Sequence, residues 1–511
     1  MQSFIQQHVD KITGVLGCFD RLIFKGHLPF SYPQGMENLL DHHGVLLKNF
    51  KHFAPAQAHI LREHALALAQ QANRPYHYLK GKCRKEELAR DIAQKDGIRE
   101  GLICVLGTNE LCPSFALRTG ANRPRLVADR RPCLCLYFYY LDAEFGLIHI
   151  RLQTWFPMTI QVYINGHEWL ARQLDKNRVG HQLKDNAFVA LHDAAKAQKL
   201  SDQFLRLRWP RILDAFAKRV NPLFHNLLKG LHYNWVIDQA EYATDILFPD
   251  QASLQTLYAR LLDHATLHFG AKEVLTFLGK KLHGNFQGEV MNECLKQRCP
   301  GARVKHRVGG NWLKMYDKFA QVLRIEVVIN RPYMFRVLRW GTRQGQRQFG
   351  WFPLAKKVAY LRRYAEIARQ AAGRYLDALA VVEDPQVSEK LLDQACHQAT
   401  FRGRHRRALN PLSRADQQLF QAVLSGDQAL RGFANRDIAE RLDITISADP
   451  KIRRRQSGRI SRLLQLLRAH GFIKKIGRSR RYRATDKGFA FMSTAIRLRH
   501  RAFPAEFSEA A

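Results

Sequence analysis

Two alternating runs meet in the stretch NWLKMYDKFAQVLRIEVVIN, residues 311–330. Alternation of apolar and polar residues is typical of strands with one face in the core. Pairing like with like sets Leu313 opposite Val327 and Met315 opposite Ile325. A slip of one residue would mix apolar with polar partners, so the stretch predicts one hairpin register, with a loop of about three or five residues.

The same register gathers four polar side chains on the other face of the hairpin: Lys314, Tyr316, Arg324 and Glu326. A phenol becomes a nucleophile when a nearby cation lowers its pKa, and a divalent ion offsets the charge of a phosphate under attack. We therefore take Lys314, Tyr316, Glu326 and the adjoining Asp317 as candidate catalytic residues. The alternative is purely structural: Lys314 pairs with Glu326 across the strands, and Arg324 packs over Tyr316.

A local resemblance favours the catalytic interpretation. Residues 314–318, Lys-Met-Tyr-Asp-Lys, followed by 323–327, Leu-Arg-Ile-Glu-Val, are similar to two strands of the replication-initiator relaxases of plasmids and phages. The resemblance covers about twenty residues. In that family a tyrosine attacks a DNA phosphate and carboxylates hold a metal, which implies Mg²⁺ or Mn²⁺ as a cofactor here.

Three carboxylates also recur at helical spacing, at Asp238, Glu241 and Asp245. Residues 236–282 are predicted to be helical, and this spacing would then place the three on one helix face. Such a face offers hard oxygen ligands for Mg²⁺ or Mn²⁺ in phosphodiester chemistry. The alternative is a solvated face, or a partner for nearby arginines. Convergence of Asp20, Asp245, Asp317 and Glu326 in the fold would favour a metal site.

The rest of the chain predicts an α+β protein of several domains. Short apolar runs bounded by turn residues indicate strands near residues 101–106, 133–141, 147–152 and 159–164, and a long basic helix is expected at 353–381. The expected organisation is a mainly helical region at 1–100, an α+β body at 101–382, a basic linker at 383–412 and a further unit at 413–500.

Positive charge is concentrated toward the C-terminus. The chain has 81 Lys and Arg against 45 Asp and Glu, a net charge of +36. Residues 401–511 have 25 basic and 9 acidic residues, so these 111 residues carry 25 − 9 = +16. Clustered positive charge gains free energy by releasing counterions from a polyanion. We therefore expect a nucleic acid as partner, with double-stranded DNA as the first choice.

The C-terminal pattern is helix, helix, helix, strand, turn, strand, helix. Residues 467–473, LRAHGFI, and 481–488, RYRATDKG, resemble MarR-type winged-helix regulators in order and spacing. This resemblance implies that the third helix enters the major groove and that the wing contacts phosphate or the minor groove. The arginines expected to contact DNA are Arg453, Arg454, Arg455, Arg459 and Arg462 on the helix, and Arg478, Arg480 and Arg481 on the wing. The alternative is a winged helix used for protein contacts.

Four aromatic residues lie near basic ones in the body: Trp155, Phe156, Tyr163 and Trp169. Such a cluster is one way to build a surface on which bases stack. Aromatic residues at strand spacing also fill cores, and that alternative stays open.

Other features exclude whole classes of protein. The first residues lack a basic segment followed by an apolar one, so no signal peptide is expected. The apolar run at 132–141 is too short for a membrane helix, and nine cysteines without regular spacing predict reduced thiols, so we expect a cytoplasmic protein without membrane contact. No Gly-x-x-x-x-Gly-Lys-Ser/Thr motif occurs, which argues against a P-loop motor.

The chain as a whole resembles uncharacterised bacterial proteins associated with mobile genetic elements. The stretches that carry this resemblance are 17–26, 153–157, 241–245 and 314–318. The leading hypothesis is a DNA-binding protein whose winged helix brings a metal-dependent nicking or strand-transfer module to DNA. Two alternatives remain: a non-enzymatic transcriptional regulator, and an RNA-binding protein that uses the basic helix.

Overall fold

The fold is α+β and is organised around one large mixed sheet. A computed structural model describes residues 1–81, 83–119, 124–280, 289–296, 302–380, 382, 389–425, 432–445, 447–477 and 479–502. The strands, in chain order, are β1 Gly14–His27, β2 Tyr76–Tyr78, β3 Gly101–Thr119, β4 Pro124–Asp142, β5 Gly146–Gln153, β6 Ile160–Ile164, β7 His181–Lys184, β8 Ala187–Leu191, β9 Asn234–Leu247, β10 Val290–Lys296, β11 Ala302–Val308, β12 Asn311–Lys318, β13 Val322–Ile329, β14 Arg336–Arg343, β15 Gln346–Pro353, β16 Ala399–Phe401, β17 Arg404–Arg406, β18 Ile473–Lys475 and β19 Tyr482–Ala484.

The large sheet has eleven strands in the order β10-β11-β12-β13-β9-β1-β6-β5-β4-β3-β2. Neighbouring strands are antiparallel except β2 and β3, which are parallel. Strand β1 is therefore central, and it comes from the region predicted to be mainly helical. The boundary expected near residue 100 is not a boundary of this sheet, because β1 pairs with β6 on one side and with β9 on the other.

Helices cover the sheet. In chain order they are α1 Gln2–Gln7, α2 Pro33–His42, α3 Phe50–Gln71, α4 Lys85–Lys95, α5 Gly166–Lys176, α6 Ala194–Gln203, α7 Trp209–Val220, α8 Gln251–His268, α9 Ala271–Phe277, α10 Leu361–Leu379, α11 Glu389–Cys396, α12 Arg414–Val423, α13 Asn435–Arg441, α14 Pro450–Ala469 and α15 Asp486–Arg497. Helix α10 packs on β9 and β13, and its Arg369 donates to the Tyr242 hydroxyl at 2.5 Å. That contact places α10 on the face of β9 that carries Tyr242.

The predicted hairpin register is confirmed. Leu313 pairs with Val327, Met315 with Ile325, Lys314 with Glu326 and Tyr316 with Arg324. Lys318 pairs with Val322, which leaves a loop of three residues at 319–321. The apolar partners lie in the main core. Burial of that face selects the register, because a slip of one residue would turn every side chain of the strand over.

The helix predicted to begin at 236 is wrong over its first part, where the chain forms β9. The spacings of three and seven residues between the carboxylates of Asp238, Glu241 and Asp245 fit a helix. Residues 237–247 instead lie between β1 and β13 and pair with both strands. In a strand, successive side chains point to opposite faces. Asp238, Glu241 and Asp245 therefore do not form one face of a helix.

Two further boundaries differ from the sequence predictions. The basic helix begins at Leu361 rather than near 353, because residues 346–353 form β15 instead. The predicted linker at 383–412 contains α11 and the β16–β17 hairpin, and its residues 383–388 lie outside the described part of the chain. Ala395 and Leu409 belong to the same hydrophobic cluster as α12, α14 and α15, so this segment packs with the C-terminal helices.

The C-terminal residues have their own hydrophobic cluster, separate from that of the sheet. Helices α12, α13 and α14, the β18–β19 hairpin and α15 follow in the predicted order. Ile460, Leu464 and Leu467 are buried in one stripe of α14. Gly471 follows α14 with φ +74, the left-handed conformation that glycine adopts at low cost after a helix. No helix in the described part of the chain combines the length and the apolar character needed to cross a bilayer.

Candidate metal centre

Three carboxylates meet at the centre of the sheet, one each from β1, β9 and β13. Asp20, Glu241 and Glu326 each present a carboxylate oxygen within 4.8 Å of the others. Ala243 of β9 is paired with Glu326 on β13 and with Cys18 on β1. Ala243 and Glu241 share a face of β9, because they are two residues apart. The small alanine side chain leaves room for the acidic ones.

A β-bulge puts Asp20 on this face. In the pairing of β1 with β9, Phe19 is opposite Tyr242 and Arg21 is opposite Glu241, so Asp20 is the extra residue. A bulge bends the strand locally and changes where a side chain points. Three acidic residues far apart in sequence thereby come together, although Asp20 precedes Glu241 by more than two hundred residues.

A lysine and a tyrosine from β12 complete the cluster. The Lys314 ammonium contacts Glu326 Oε1 and lies 4.0 Å from Glu241 Oε2. The Tyr316 hydroxyl donates to Glu326 Oε2 at 2.6 Å. Glu241 also accepts from Gln239. Lys314 therefore faces two of the three carboxylates, and the Arg324 guanidinium lies 3.5 Å from the third, that of Asp20.

A second ionic group lies directly beside the first. The Arg324 guanidinium donates to both carboxylate oxygens of Asp245 at 2.6 Å, and both residues are fully buried. The His167 ring lies between two carboxylates, 3.3 Å from Asp20 and 3.6 Å from Asp245. The Asn186 amide donates to Asp20 at 2.7 Å. These contacts hold the Asp20 carboxylate beside the other two.

The start of α5 is built to bring His167 close to β1. Asn165 caps the helix, and its side chain accepts from the His167 backbone N–H at 2.8 Å. A Cβ on Gly166 would collide with the Phe19 carbonyl oxygen, so only glycine allows this approach. The ring thereby reaches the residue that follows Phe19, which is Asp20.

Burial and neighbouring charges shift the pKa values of these groups in opposite directions. Burial, and then the adjacent Glu326 carboxylate, raise the pKa of Glu241 to about 7. Burial alone would raise the pKa of Asp20, but Arg324 and His167 bring it well below its usual value. Burial also raises the pKa of the Tyr316 phenol well above 10. Glu241 is thus the carboxylate that the protein itself balances least.

This arrangement suits a divalent cation. Carboxylate oxygens are the ligands that Mg²⁺ and Mn²⁺ prefer, and a bound cation would remove the repulsion that raises the pKa of Glu241. Asp20, Glu241 and Glu326 would hold the ion, with Tyr316 next to it. The exposed fractions are 7% for Asp20, 9% for Glu241 and 2% for Glu326, so the centre opens narrowly on the side of Glu241 and Asp20.

The structure brings some of the site residues predicted from the sequence together and places others elsewhere. Lys314, Tyr316, Glu326 and Glu241 come together as described above. Asp245 lies beside them, but its carboxylate is paired with Arg324. Asp317 lies apart from them, because the residue after Tyr316 points to the opposite face of β12. There, burial raises the pKa of Asp317 to about 6.

Asp238 also lies outside the cluster of Asp20, Glu241 and Glu326. Asp238 is the extra residue of a second bulge in the pairing of β1 with β9, and it lies 3.7 Å from the ammonium of Lys356. Sequence reasoning missed His167 and Asn186 altogether. No spacing signal points to them, because they follow Asp20 by more than 140 residues and reach it only through the packing of α5 and of the β7–β8 hairpin.

The predicted base-stacking cluster is core instead. Phe156, Tyr163 and Trp169 are buried, and Trp155 is only partly exposed. Phe156 packs against Phe30, Phe50 and Phe53. These rings therefore fill the space between the sheet and its covering helices, which is the structural alternative for aromatic residues at strand spacing.

The C-terminal arginines lie mostly on the surface. On α14 all five predicted side chains are exposed, and none pairs with a carboxylate in the described part of the chain: Arg453, Arg454, Arg455, Arg459 and Arg462. Arg480 is exposed as well. Arg481 contacts Asp437 at 3.3 Å and the Gly432 carbonyl oxygen at 2.7 Å. Arg478 lies outside the described residues.

Sequence reasoning overlooked three basic residues of the β18–β19 hairpin. Lys474 pairs with Arg483 across the hairpin, and both are exposed, as is Lys475. Their signal was present as a Lys-Lys pair in one strand and an arginine in the other. They extend the basic surface of α14 along the hairpin.

Comparisons with known proteins found no match. Neither a scan against protein-family models nor searches of curated proteins and of solved structures returned one.

Proposed function

We propose that this chain is a DNA-binding protein that cleaves phosphodiester bonds with a divalent metal held by Asp20, Glu241 and Glu326. The observation that carries the proposal is the convergence of three carboxylates on three adjacent strands, where Lys314 faces Glu326 and Glu241 while Arg324 is shared between Asp20 and Asp245. Three buried acidic groups repel one another unless a cation is shared among them. A chain of net charge +36 would bring a phosphate backbone to that cation.

Tyr316 is the proposed nucleophile for nicking or strand transfer, the role that the relaxase resemblance implies; a metal held beside it would offset the burial and the Glu326 charge that raise the pKa of its phenol. Its oxygen would form a bond to phosphorus while the bond from phosphorus to the departing sugar oxygen breaks, and that oxygen would leave as a hydroxyl by taking up a proton from water. Glu326 Oε2 accepts the phenolic hydrogen bond at 2.6 Å and is therefore the group that would receive the proton. The metal would stabilise the charge on the phosphate during the attack. Water in place of Tyr316 would give hydrolysis without a covalent adduct.

The C-terminal unit is the proposed DNA-targeting part, a winged helix of the MarR-like type within residues 413–500. Its support is the order of helices and strands together with the five exposed, unpaired arginines of α14. Helix α14 would lie in the major groove and the β18–β19 hairpin would contact the backbone. The mobile-element association belongs to this proposal and has only sequence resemblance behind it.

A non-enzymatic regulator is the second candidate, and one observation favours it. Lys314 already contacts Glu326 and lies near Glu241, so the protein balances part of the charge without a metal. The RNA-binding alternative has weaker support. The cations of α10 are largely engaged, since Arg362 and Arg363 pair with Glu366 and Arg369 pairs with Asp202.

The test is metal binding and plasmid nicking by the full chain. Mn²⁺ binding is measured by calorimetry, and supercoiled DNA is incubated with and without Mg²⁺ or Mn²⁺. Glu241→Gln and Glu326→Gln should each weaken Mn²⁺ binding and lower nicking by at least a hundredfold, because each removes a ligand charge. Asp238→Asn is the matched control, since it removes a carboxylate from the same strand outside the cluster. Tyr316→Phe should abolish any covalent adduct with DNA.

The regulator predicts the opposite pattern. Wild-type protein would then bind no Mn²⁺ and nick no DNA under any of these conditions. A double-mutant cycle of Lys314→Met and Glu326→Gln would show only the coupling expected for a cross-strand pair, about 0.2–1 kcal/mol. That combination of results would overturn the catalytic proposal and leave the hairpin as scaffold.

A further inference from the structure

The β14–β15 hairpin displays large apolar side chains to solvent on one face. Leu338 pairs with Trp351, and Trp340 pairs with Phe349, so the four share a face of the ribbon. Their exposed fractions are 39% for Leu338, 57% for Trp340, 56% for Phe349 and 63% for Trp351. Isolated exposed apolar residues are common, but a contiguous patch of aromatic rings marks a surface that meets a partner.

The same hairpin is strongly basic. From Arg331 to Tyr360 the chain has seven basic residues and no acidic one: Arg331, Arg336, Arg339, Arg343, Arg347, Lys356 and Lys357. The Arg347 guanidinium lies 5.6 Å from the centre of the Trp340 ring, and Arg339 lies 5.4 Å from that of Phe352. Arg347 therefore borders one of the exposed rings, whereas Arg339 and Phe352 lie on the other face of the ribbon.

A cleft of about 350 Å³ lies against this hairpin. Its lining includes two aromatic rings, Trp340 and Tyr360, and three cations, Arg339, Arg347 and Lys357. Flat rings beside fixed positive charges suit a ligand that combines a flat ring with a negative charge. The volume is within the range of sites that hold small planar groups.

We propose that the β14–β15 hairpin binds single-stranded nucleic acid, with bases stacked on Trp340, Phe349 and Trp351 and a phosphate paired with Arg347, which lies on the same face of the ribbon. An apolar protein or lipid surface would cover the rings but would leave the arginines without counter-charge. A duplex would satisfy the arginines but hides the faces of its bases. Among nucleic acids, only an unpaired strand presents both ring faces and phosphates, which is how stacking platforms in basic grooves bind single strands.

The hairpin lies close to the proposed metal centre along the chain. Strand β13, which carries Glu326, leads into β14 through the short turn Pro332–Met334. At the base of the hairpin Lys357 pairs with Val236, five residues before Glu241 on β9. At about 3.3 Å per residue the bridge at Lys357 is roughly 17 Å from Glu241, and the exposed rings lie farther out along the hairpin. A strand held on the hairpin would have to extend along it to reach the carboxylates, and its binding does not require them.

The experiment measures binding of fluorescent 15-nucleotide probes, oligo(dT) and oligo(U), to the full chain in EDTA, so that a metal at the carboxylates contributes nothing. Trp351→Ala and Trp340→Ala should each weaken binding about tenfold, since stacking on one ring contributes about 1–3 kcal/mol per base. Trp351→Phe should restore most of the affinity. Tyr32→Ala is the matched control, because Tyr32 is 56% exposed and lies outside the hairpin.

Salt dependence separates stacking from ion pairing. Arg347→Gln should reduce the slope of log affinity against log salt by about 0.7, while Trp351→Ala should leave the slope unchanged. Weaker binding of oligo(dT), oligo(U) or both by the tryptophan variants supports the proposal. The probe that is affected shows whether the hairpin recognises deoxyribose, ribose or either sugar. Wild-type affinity in both tryptophan variants would overturn the proposal. So would an equal loss for a duplex probe, because stacking requires unpaired bases.

Discussion

At the centre of the sheet, Arg324 is fully buried and donates to Asp245 at 2.6 Å, whereas on α14 Arg453 is exposed and meets no carboxylate in the described part of the chain. Buried, paired charges such as Arg324 are far from water and close to a partner, so their interaction is strong and little affected by salt. Exposed charges such as Arg453 interact weakly with the rest of the protein.

The difference indicates two uses of charge in one chain. The buried groups are oriented against one another by β1, β9, β13 and α5, and such fixed geometry suits a small ion. The exposed arginines can pair with the phosphates of an external polyanion, and this contact does not require a fixed side-chain geometry. The two regions should therefore respond differently to mutation, salt and pH.

Loss of the buried arginine should have the largest effect. Arg324→Leu leaves Asp245 and Asp20 buried without their main counter-charge, which we expect to cost about 3–5 kcal/mol of unfolding free energy. Chemical denaturation followed by circular dichroism measures this. Arg459→Leu on α14 is the matched control and should leave the denaturation midpoint unchanged. Equal effects of the two substitutions would contradict the contrast between the regions.

Salt should have the second-largest effect, on the affinity of the exposed α14 arginines for duplex DNA. If the five arginines of α14 each neutralise a phosphate, the slope of log affinity for duplex DNA against log salt is about −4.5, a loss of several hundredfold between about 50 and 200 mM. Arg453→Gln should make the slope shallower by about 0.9, while Glu326→Gln should not alter it. A flat response, measured by fluorescence anisotropy, would exclude the phosphate contacts.

The effect of pH on the buried centre should be the smallest of the three. Because the pKa of Glu241 is raised to about 7, the folded protein keeps a proton there that the unfolded chain loses near pH 4–5. The stability that this proton contributes is present at low pH and declines as pH rises toward 7. Without metal, wild type should thus lose stability over this range relative to Glu241→Gln, as thermal melts at pH 5 and pH 8 would measure.

Metal affinity should change with pH in the other direction. A protonated Glu241 cannot ligate a cation, so Mn²⁺ affinity should rise up to about tenfold per pH unit below pH 7 and then level off. Asp238→Asn should follow the wild-type profile in both measurements. Identical stability profiles for wild type and Glu241→Gln would show that Glu241 titrates normally.

Local pattern was enough to predict the β12–β13 hairpin residue by residue. Its register depends on matching apolar with apolar residues at a period of two, and both strands are contained in one stretch of twenty residues. The end of α14 followed from similar local rules, since its buried stripe repeats at helical spacing and Gly471 permits the left-handed turn after it. Such features are decided by neighbours in sequence.

The surface role of the aromatic residues was not predictable in this way. Trp155, Phe156, Tyr163 and Trp169 fit a stacking surface by composition, yet they are largely core, while Trp340, Phe349 and Trp351 are exposed. Both sets occur beside basic residues, and Trp169 in α5 is the one member that lies in a helix rather than in or beside a strand. What separates them is whether a helix covers the strand, and this depends on residues far away in the chain.

The sequence by itself determined the α+β class, the basic C-terminal surface and the polar face of the hairpin, because each follows from composition or from a period within one segment. Only the tertiary structure decided that residues 234–247 form a strand rather than a helix, since its pairing partners lie in β1 and β13. Only the tertiary structure brought Asp20 to Glu241 and Glu326, through a bulge and two strand pairings. The carboxylate cluster exists because strand pairing between distant segments outweighs the local helical spacing. It therefore cannot be predicted from any single segment.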